Sequence, residues 1–254
     1  MPRIAHVSDL HFGEASPGRI AALSDDIRAS APDAVVISGD LTRRALRAEF
    51  EAAFAFLDGL GAPLLVVPGN HDIPRLNLYS RLLHPRRRWL AARPPASPDV
   101  LQLEGVSLIG LDTVSRAQWH LDWAAGAVSE TRLRKLEQHL QEAAGGLIVV
   151  VCHHPLHHAA WAHPRRTPRN ARAATELLRR FDVSALLCGH LHRADISTLG
   201  AGGPVQIVAP SALSPRGQGM PNGWNLITVE SGALTMETRE FDGVGWRARP
   251  VPLT

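Results

Sequence analysis

Several things this sequence lacks narrow what it can be. Only two cysteines occur in 254 residues, Cys152 and Cys188, each closing an apolar run. A disulfide framework is therefore not expected, and the pair reads as buried, reduced thiols at strand ends. No window holds ~18 uninterrupted apolar residues, so no membrane-spanning helix is expected. The first residues lack the apolar core and cleavage site of a secretory leader, which makes a cytoplasmic location the expectation. The formal charge is only +3 with histidine neutral. So small an excess does not demand nucleic acid, and no aromatic series suited to base stacking accompanies it, although an anionic substrate is tolerated. Internal repeats and low-complexity tails are also missing, so residues 1–254 read as one layered α/β domain.

What is present is periodic. Ile4 to Ser8, Ala34 to Ser38 and Leu64 to Val67 read as short buried strands. Between them, Arg19 to Ser30 carries Ile20, Leu23 and Ile27 on one helical face, and Ala45 to Leu60 carries Phe50, Phe54, Leu57 and Leu60 close to helical spacing. This β-α-β-α-β order predicts a largely parallel sheet with right-handed crossovers. Further on, a hairpin around Glu104-Gly105, a helix from about Ser129 to Ala144, a strand from Leu147 to Cys152, a helix from Asn170 to Phe181 and a strand from Ala185 to Cys188 are expected. Strands at Val205 to Ala209, Trp224 to Val229 and Leu234 to Phe241 follow without helices between them, which suggests a second, antiparallel-rich sheet packed on the first.

Metal-ligand residue types recur just after the apolar strands. Asp9-Leu10-His11, Gly39-Asp40, Gly69-Asn70-His71-Asp72, His153-His154-Pro155 and Gly189-His190-Leu191-His192 each follow one. The C-terminal ends of parallel strands lie along one edge, where open α/β sheets bind ligands. Carboxylate, imidazole and amide oxygen together suit manganese, iron or zinc. A shared carboxylate can hold two such ions ~3.5–4 Å apart, the spacing used in phosphoester hydrolysis. Taken singly, the aspartates would read as helix or turn caps.

The ordered set D-x-H, G-D, G-N-H-D, H-x-P and G-H-x-H, spread from residue 9 to residue 192, resembles the calcineurin-like metallophosphoesterase superfamily. The resemblance implies a four-layer α/β/β/α sandwich with two mixed sheets and the metal site at strand C-terminal ends. It also implies two divalent or trivalent metal ions (Mn, Fe or Zn). One is held by Asp9, His11, Asp40 and His192, the other by Asp40, Asn70, His153 and His190, with Asp40 bridging. A hydroxide between the ions attacks phosphorus in line with the leaving oxygen. His71 stabilises developing charge or protonates the leaving group, and Asp72 orients the His71 ring. The H-x-P block offers two histidines. Proline two residues on places the ligand at His153, with His154 facing substrate or supporting the ligand, and the exchange of these two roles stays open.

Within the superfamily, Gly39-Asp40-Leu41-Thr42-Arg43-Arg44 lacks the second aspartate and final glycine of the protein-phosphatase pattern G-D-x-x-D-R-G. The Asp-Leu-His and Gly-Asp-Leu-Thr blocks look more like bacterial phosphodiesterases acting on cyclic nucleotides or glycerophosphodiesters. A small phosphodiester is thus the expected substrate. A nuclease has only the modest basic charge in its favour. A non-catalytic scaffold of the same fold would have lost ligands, whereas every expected position is filled here.

Residues 74–98 form a basic, lid-like insert containing Arg75, Arg81, Arg86, Arg87, Arg88 and Arg93 and no acidic residue, interleaved with Leu76, Leu78, Leu82, Leu83, Trp89 and Leu90. A solvated surface is the plain reading. Its place after the G-N-H-D block makes Arg86, Arg87 and Arg88 candidates for substrate contact, and its mixed character suits an anionic lipid or membrane surface. It also supports a second enzyme reading, a pyrophosphatase for a nucleotide-linked acylated sugar, although that family commonly has arginine where His71 stands. Arg165, Arg166, Arg169 and Arg172 form a second basic group after His153 and suit either phosphate contacts or a solvated helix start.

Overall fold

Apolar residues occupy both faces of the central strands, and both faces are buried. The computed structural model describes residues 1–75, 77–92, 98–117, 124–143, 145–162, 166–215 and 219–253; Leu76, Arg93 and Arg165 lie outside them. The chain runs β1 (Arg3–Val7), α1 (Pro17–Ala29), β2 (Ala34–Ile37), α2 (Arg47–Asp58), β3 (Leu64–Val66), α3 (Leu78–Leu83), α4 (Arg87–Ala92), β4 (Val100–Leu103) and β5 (Val106–Leu111). It continues through α5 (Glu130–Glu142), β6 (Leu147–Cys152), α6 (Ala171–Arg180), β7 (Ala185–Cys188), β8 (Asp195–Thr198), β9 (Val205–Val208), β10 (Gly223–Glu230), β11 (Ala233–Phe241) and β12 (Trp246–Val251).

Among the described residues the strands form two six-stranded mixed sheets, ordered β12-β11-β10-β1-β2-β3 and β4-β5-β6-β7-β9-β8. Strands β1, β2 and β3 are parallel, as are β5, β6, β7 and β9. Alternation along each strand sends successive side chains to opposite faces. Ala5, Val35 and Ile37 face Leu23 and Ile27 of α1 and Phe50, Phe54 and Leu57 of α2. Ile4, Val36, Leu108, Val149, Val151 and Leu187 fill the seam between the sheets. Val150, Cys152, Leu186 and Cys188 meet Leu136 and Leu140 of α5 and Leu177 and Leu178 of α6. Three apolar seams thus separate four layers, α/β/β/α, and explain strands that read as unbroken apolar runs.

One sheet assignment needs correcting. The C-terminal strands do not build the second sheet. β10 pairs antiparallel with β1, placing Ile4 opposite Ile227, so β10, β11 and β12 extend the first sheet. The second sheet consists of β4–β9, and its interior is parallel.

The basic insert also differs from a free lid. Trp89 on α4 is 3% exposed and packs edge-on against Phe50 and Phe54. Arg81 is buried and donates to the carbonyls of Pro74 and Arg116. Tyr79, Leu82, Leu83 and Leu90 remain exposed. No helix among the described residues is long and apolar enough to cross a membrane.

Candidate metal centre

The five motif blocks fall on the turns that leave β1, β2, β3, β6 and β7, and the two sheets present these turns to each other. The backbone there is unusual. Asp9, His11, Asp40, His190 and His192 all have positive φ, between 44° and 72°. Non-glycine residues seldom adopt this region, and its cost is tolerated where function requires a side chain to be aimed. In Asp-x-His the bend brings alternate side chains to one place. Two glycines make room. A Cβ on Gly69 would lie 2.1 Å from Asp40 Oδ1, and one on Gly189 would lie 1.8 Å from Ser8 Oγ and 2.5 Å from Asp9 Oδ2.

Asp9, His11, Asp40 and His192 offer ligand atoms within 4.8 Å of one another. His11 Nε2 lies 3.1 Å from His192 Nε2 and 3.7 Å from both Asp9 Oδ1 and Asp40 Oδ2. Asp9 Oδ2 accepts from the Ser8 hydroxyl and the His190 amide, whereas the buried Oδ1 lies 3.0 Å from His192 Nε2 and accepts no well-formed hydrogen bond among the described residues. A buried carboxylate oxygen without a well-formed hydrogen bond is costly, and two imidazole nitrogens at hydrogen-bond distance cannot both present lone pairs unless a cation lies between them. The residues present therefore fit a metal ion.

Asp40 links this group to a second one. Its Oδ2 lies 3.7 Å from His11 Nε2 and 3.4 Å from His153 Nε2. Asn70 Oδ1 lies 3.1 Å from His153 Nε2 and 3.0 Å from His190 Nδ1. His153 Nδ1 donates to the Ser38 carbonyl at 2.8 Å, which turns Nε2 toward Asp40 and Asn70. Burial alone would raise the Asp40 carboxyl, but His153, His71 and His11 hold it well below the usual carboxylate range. Burial would lower His153, yet Asp40 and Asp9 push it up to about 9.

His154 belongs to the same histidine cluster as His153 and His190. Its two nitrogens are nevertheless engaged, Nδ1 with Thr113 Oγ1 and Nε2 with the Ala124 carbonyl, both at 2.7 Å. Burial and neighbouring His153 push it down to about 3, so it stays neutral. With both ring nitrogens engaged inside the protein, His154 is placed to buttress His153, the second of the two roles open to it, rather than to offer a nitrogen to substrate. Thr113, absent from any motif, carried no sequence signal for this role.

Asp72 does not orient the His71 ring. Its carboxylate accepts from Gly69 N, Leu41 N, Thr42 N and the Thr42 hydroxyl, tying the turn after β3 to the turn after β2. His71 Nδ1 instead donates to the Arg43 carbonyl at 2.8 Å, its backbone N–H donates to Asp40 Oδ1, and its ring stands edge-on to His11 at 4.8 Å. Nε2 is the ring nitrogen left for a substrate.

The three arginines proposed for substrate contact are not brought to the cluster. Arg86 pairs with Asp112, Arg88 donates to the Ala45 carbonyl at 2.7 Å, and Arg87 lines a groove between α2 and α4. Among the described residues, no hydrogen bond or ion pair joins any of them to the histidines and carboxylates above.

Comparison with known proteins places these features in context. A family model described as calcineurin-like phosphoesterase matches residues 2–194. A cAMP/cGMP dual specificity phosphodiesterase of Mycobacterium tuberculosis is 27% identical over 253 residues, covering 89% of this chain and 75% of that protein. A glycerophosphodiester phosphodiesterase of Enterobacter lignolyticus is 28% identical over 206 residues, covering 74% and 70%. Among solved structures, a dimetal phosphatase from Danio rerio superposes with a TM-score of 0.67 at 16% identity, covering 97% of this chain and 98% of that one, a likeness of fold.

Proposed function

Because the chain belongs to the calcineurin-like phosphoesterase family, we propose that it is a phosphodiesterase using two metal ions to hydrolyse a small phosphodiester, of the cyclic nucleotide or glycerophosphodiester type. The observation that carries this reading is the position of Asp40 Oδ2, within 3.7 Å of His11 Nε2 and 3.4 Å of His153 Nε2. Asp9, His11, Asp40 and His192 would hold one ion, and Asp40, Asn70, His153 and His190 the other. Carboxylate, imidazole and amide donors suit manganese, iron or zinc. Such ions supply Lewis acidity toward phosphoryl oxygens and make water nucleophilic near neutral pH.

The remaining work falls to the chain's own groups. Ser8 and the His190 amide orient the Asp9 carboxylate. Ser38 fixes the His153 tautomer, and Thr113 with Ala124 locks the supporting His154. The Arg43 carbonyl holds His71 so that Nε2 donates to a phosphoryl oxygen or gives a proton to the departing alkoxide.

A second reading has one observation in its favour. A groove of about 690 Å³ between α2 and the α3–α4 segment, with Tyr79 and Leu46 exposed on it, would accept the acyl chain of a lipid-linked pyrophosphate or lie against an anionic membrane.

The test compares bis(p-nitrophenyl) phosphate with p-nitrophenyl phosphate, using protein stripped with chelator and reloaded with manganese. Metal-dependent turnover faster on the diester, with Asp40→Ala inactive and depleted of both ions, is the expected result. Faster turnover of the monoester, or full metal content in Asp40→Ala, would reject the reading.

A further inference from the structure

A pocket of about 240 Å³ begins one residue beyond the Asn70–Asp72 turn, and its chemistry differs from that of the metal centre. Its wall includes Ile73, the residue after Asp72, together with Val114 and Ala127. These last two are chain neighbours of Thr113 and Gly126, which flank the His154 ring. Three Cα–Cα steps separate Ile73 from Asn70, a span of at most about 11 Å at ~3.8 Å per step. A substituent several bonds from a phosphorus at the metal centre is therefore within reach of the pocket.

Four arginines from separate segments line it: Arg86 before α4, Arg116 after β5, Arg132 on α5 and Arg169 before α6. No acidic residue lines it among the described residues. A single carboxylate, Asp112, pairs with both Arg86 and Arg132, the latter at 3.2 Å. Among the described residues Arg116 donates to the Leu82 carbonyl, and neither it nor Arg169 has a carboxylate partner. Burial, opposed by Asp112 and reinforced by Arg86, pushes the Arg132 guanidinium down, as expected of crowded cations. Ser129, the N-cap of the 13-residue helix α5, lines the same pocket, so the positive end of the helix points there too. Four guanidinium groups that share one carboxylate among the described residues make a site suited to an anion, since arginine makes its strong contacts with carboxylate and phosphate.

We infer that this pocket holds an anionic substituent on the alcohol of the substrate. The enzyme would then prefer phosphodiesters whose second alcohol carries a carboxylate or phosphate and reject those carrying a quaternary ammonium. This specificity rests on the phosphodiesterase reading, whereas the pocket's affinity for anions does not. Discrimination comes from repulsion of a cation as much as from pairing with an anion.

Two measurements test it with the full-length protein. In the first, inorganic phosphate is titrated calorimetrically into chelator-stripped protein, so that no metal competes for it. Saturable binding is expected, weakened at least about tenfold in Arg116→Gln/Arg169→Gln and unchanged in Arg134→Gln, an exposed arginine of α5 outside the pocket. In the second, kcat/KM is compared for glycerophosphoserine and glycerophosphocholine with manganese-loaded enzyme. The serine diester should be favoured at least about tenfold, and the ratio should fall toward one in the double variant. No phosphate binding, equal weakening by Arg134→Gln, or a ratio near one in the unmodified enzyme would overturn the proposal. Phosphate binding lost in the double variant, with neither diester turned over, would uphold the anion pocket and overturn the phosphodiesterase reading instead.

Discussion

Gly69→Ala is the sharpest test of the site geometry. The added Cβ would sit 2.1 Å from Asp40 Oδ1 and 2.2 Å from the Asp40 backbone nitrogen. Restoring an ordinary contact of 3.4 Å requires the carboxylate to retreat by about 1.3 Å, the difference between 3.4 and 2.1. Metal ligands tolerate displacements of only ~0.2 Å, so a shared carboxylate moved this far no longer serves either ion. A misplacement of about 1 Å at a reacting centre costs roughly 100-fold in rate. The variant should therefore stay folded, hold well under its full metal content after dialysis against manganese, and lose at least about 100-fold in kcat/KM. Gly61→Ala is the matched control. Gly61 also has positive φ (71°), but nothing lies within 4 Å of its Cβ position. That substitution should cost about 1 kcal/mol of stability through backbone strain and leave metal content intact. Elemental analysis, circular dichroism and diester hydrolysis measure all three quantities. Full metal occupancy and unmodified turnover in Gly69→Ala would refute the argument that the glycine makes room for Asp40.

Three further outcomes follow from the same geometry. Asp72→Ala removes the acceptor for three backbone N–H groups and the Thr42 hydroxyl; orphaned donors should outweigh the relief of repulsion from Asp40 and lower the stability of chelator-treated protein by about 2 kcal/mol. An unchanged urea midpoint with a depressed kcat would return Asp72 to a role on His71. Trp89→Ala should cost about 3–5 kcal/mol in urea unfolding, because the indole fills the space beside Phe50 and Phe54; a loss below about 1 kcal/mol would make α4 a loose flap after all. His6 is buried against Ser38, and burial pushes it from 6.5 down to about 3. The unfolded chain takes up this proton near 6.5 and the fold resists it, so the stability it contributes is complete above that pH and is lost as the pH falls. Between pH 7 and 5 the unmodified protein should lose about 2 kcal/mol more than His6→Gln; parallel pH profiles would contradict the assignment.

The metal-centre blocks were legible in the sequence because each is local: a strand, a turn and ligand-type side chains within four residues. The four-layer order followed from the family resemblance, and the apolar runs of strands buried on both faces agree with it. What stayed hidden depended on partners distant in the chain. The antiparallel pairing of Ile4 with Ile227 has no local signature, so β10–β12 could not be assigned to the first sheet. β8, Asp195–Thr198, is a polar edge strand with none of the apolar pattern of its neighbours. Trp89 stands among arginines, and only its contact with α2 distinguishes an anchored helix from a solvated lid. Asp72 follows His71 directly, yet consecutive residues on a tight helical turn point apart, and adjacency misled. Asp112 and Arg132 carry no motif and meet only across the fold.

The site takes Asp9, His11, Asp40 and Asn70 from one sheet and His153, His190 and His192 from the other. No contiguous half of the chain holds a complete set, so ions bound there would act as rivets between the two halves of the molecule. Stability and activity then become two readings of one joint. Loading with metal should slow amide exchange in the seam between the sheets, far from any ligand, and any slippage of one sheet over the other would register first as lost metal.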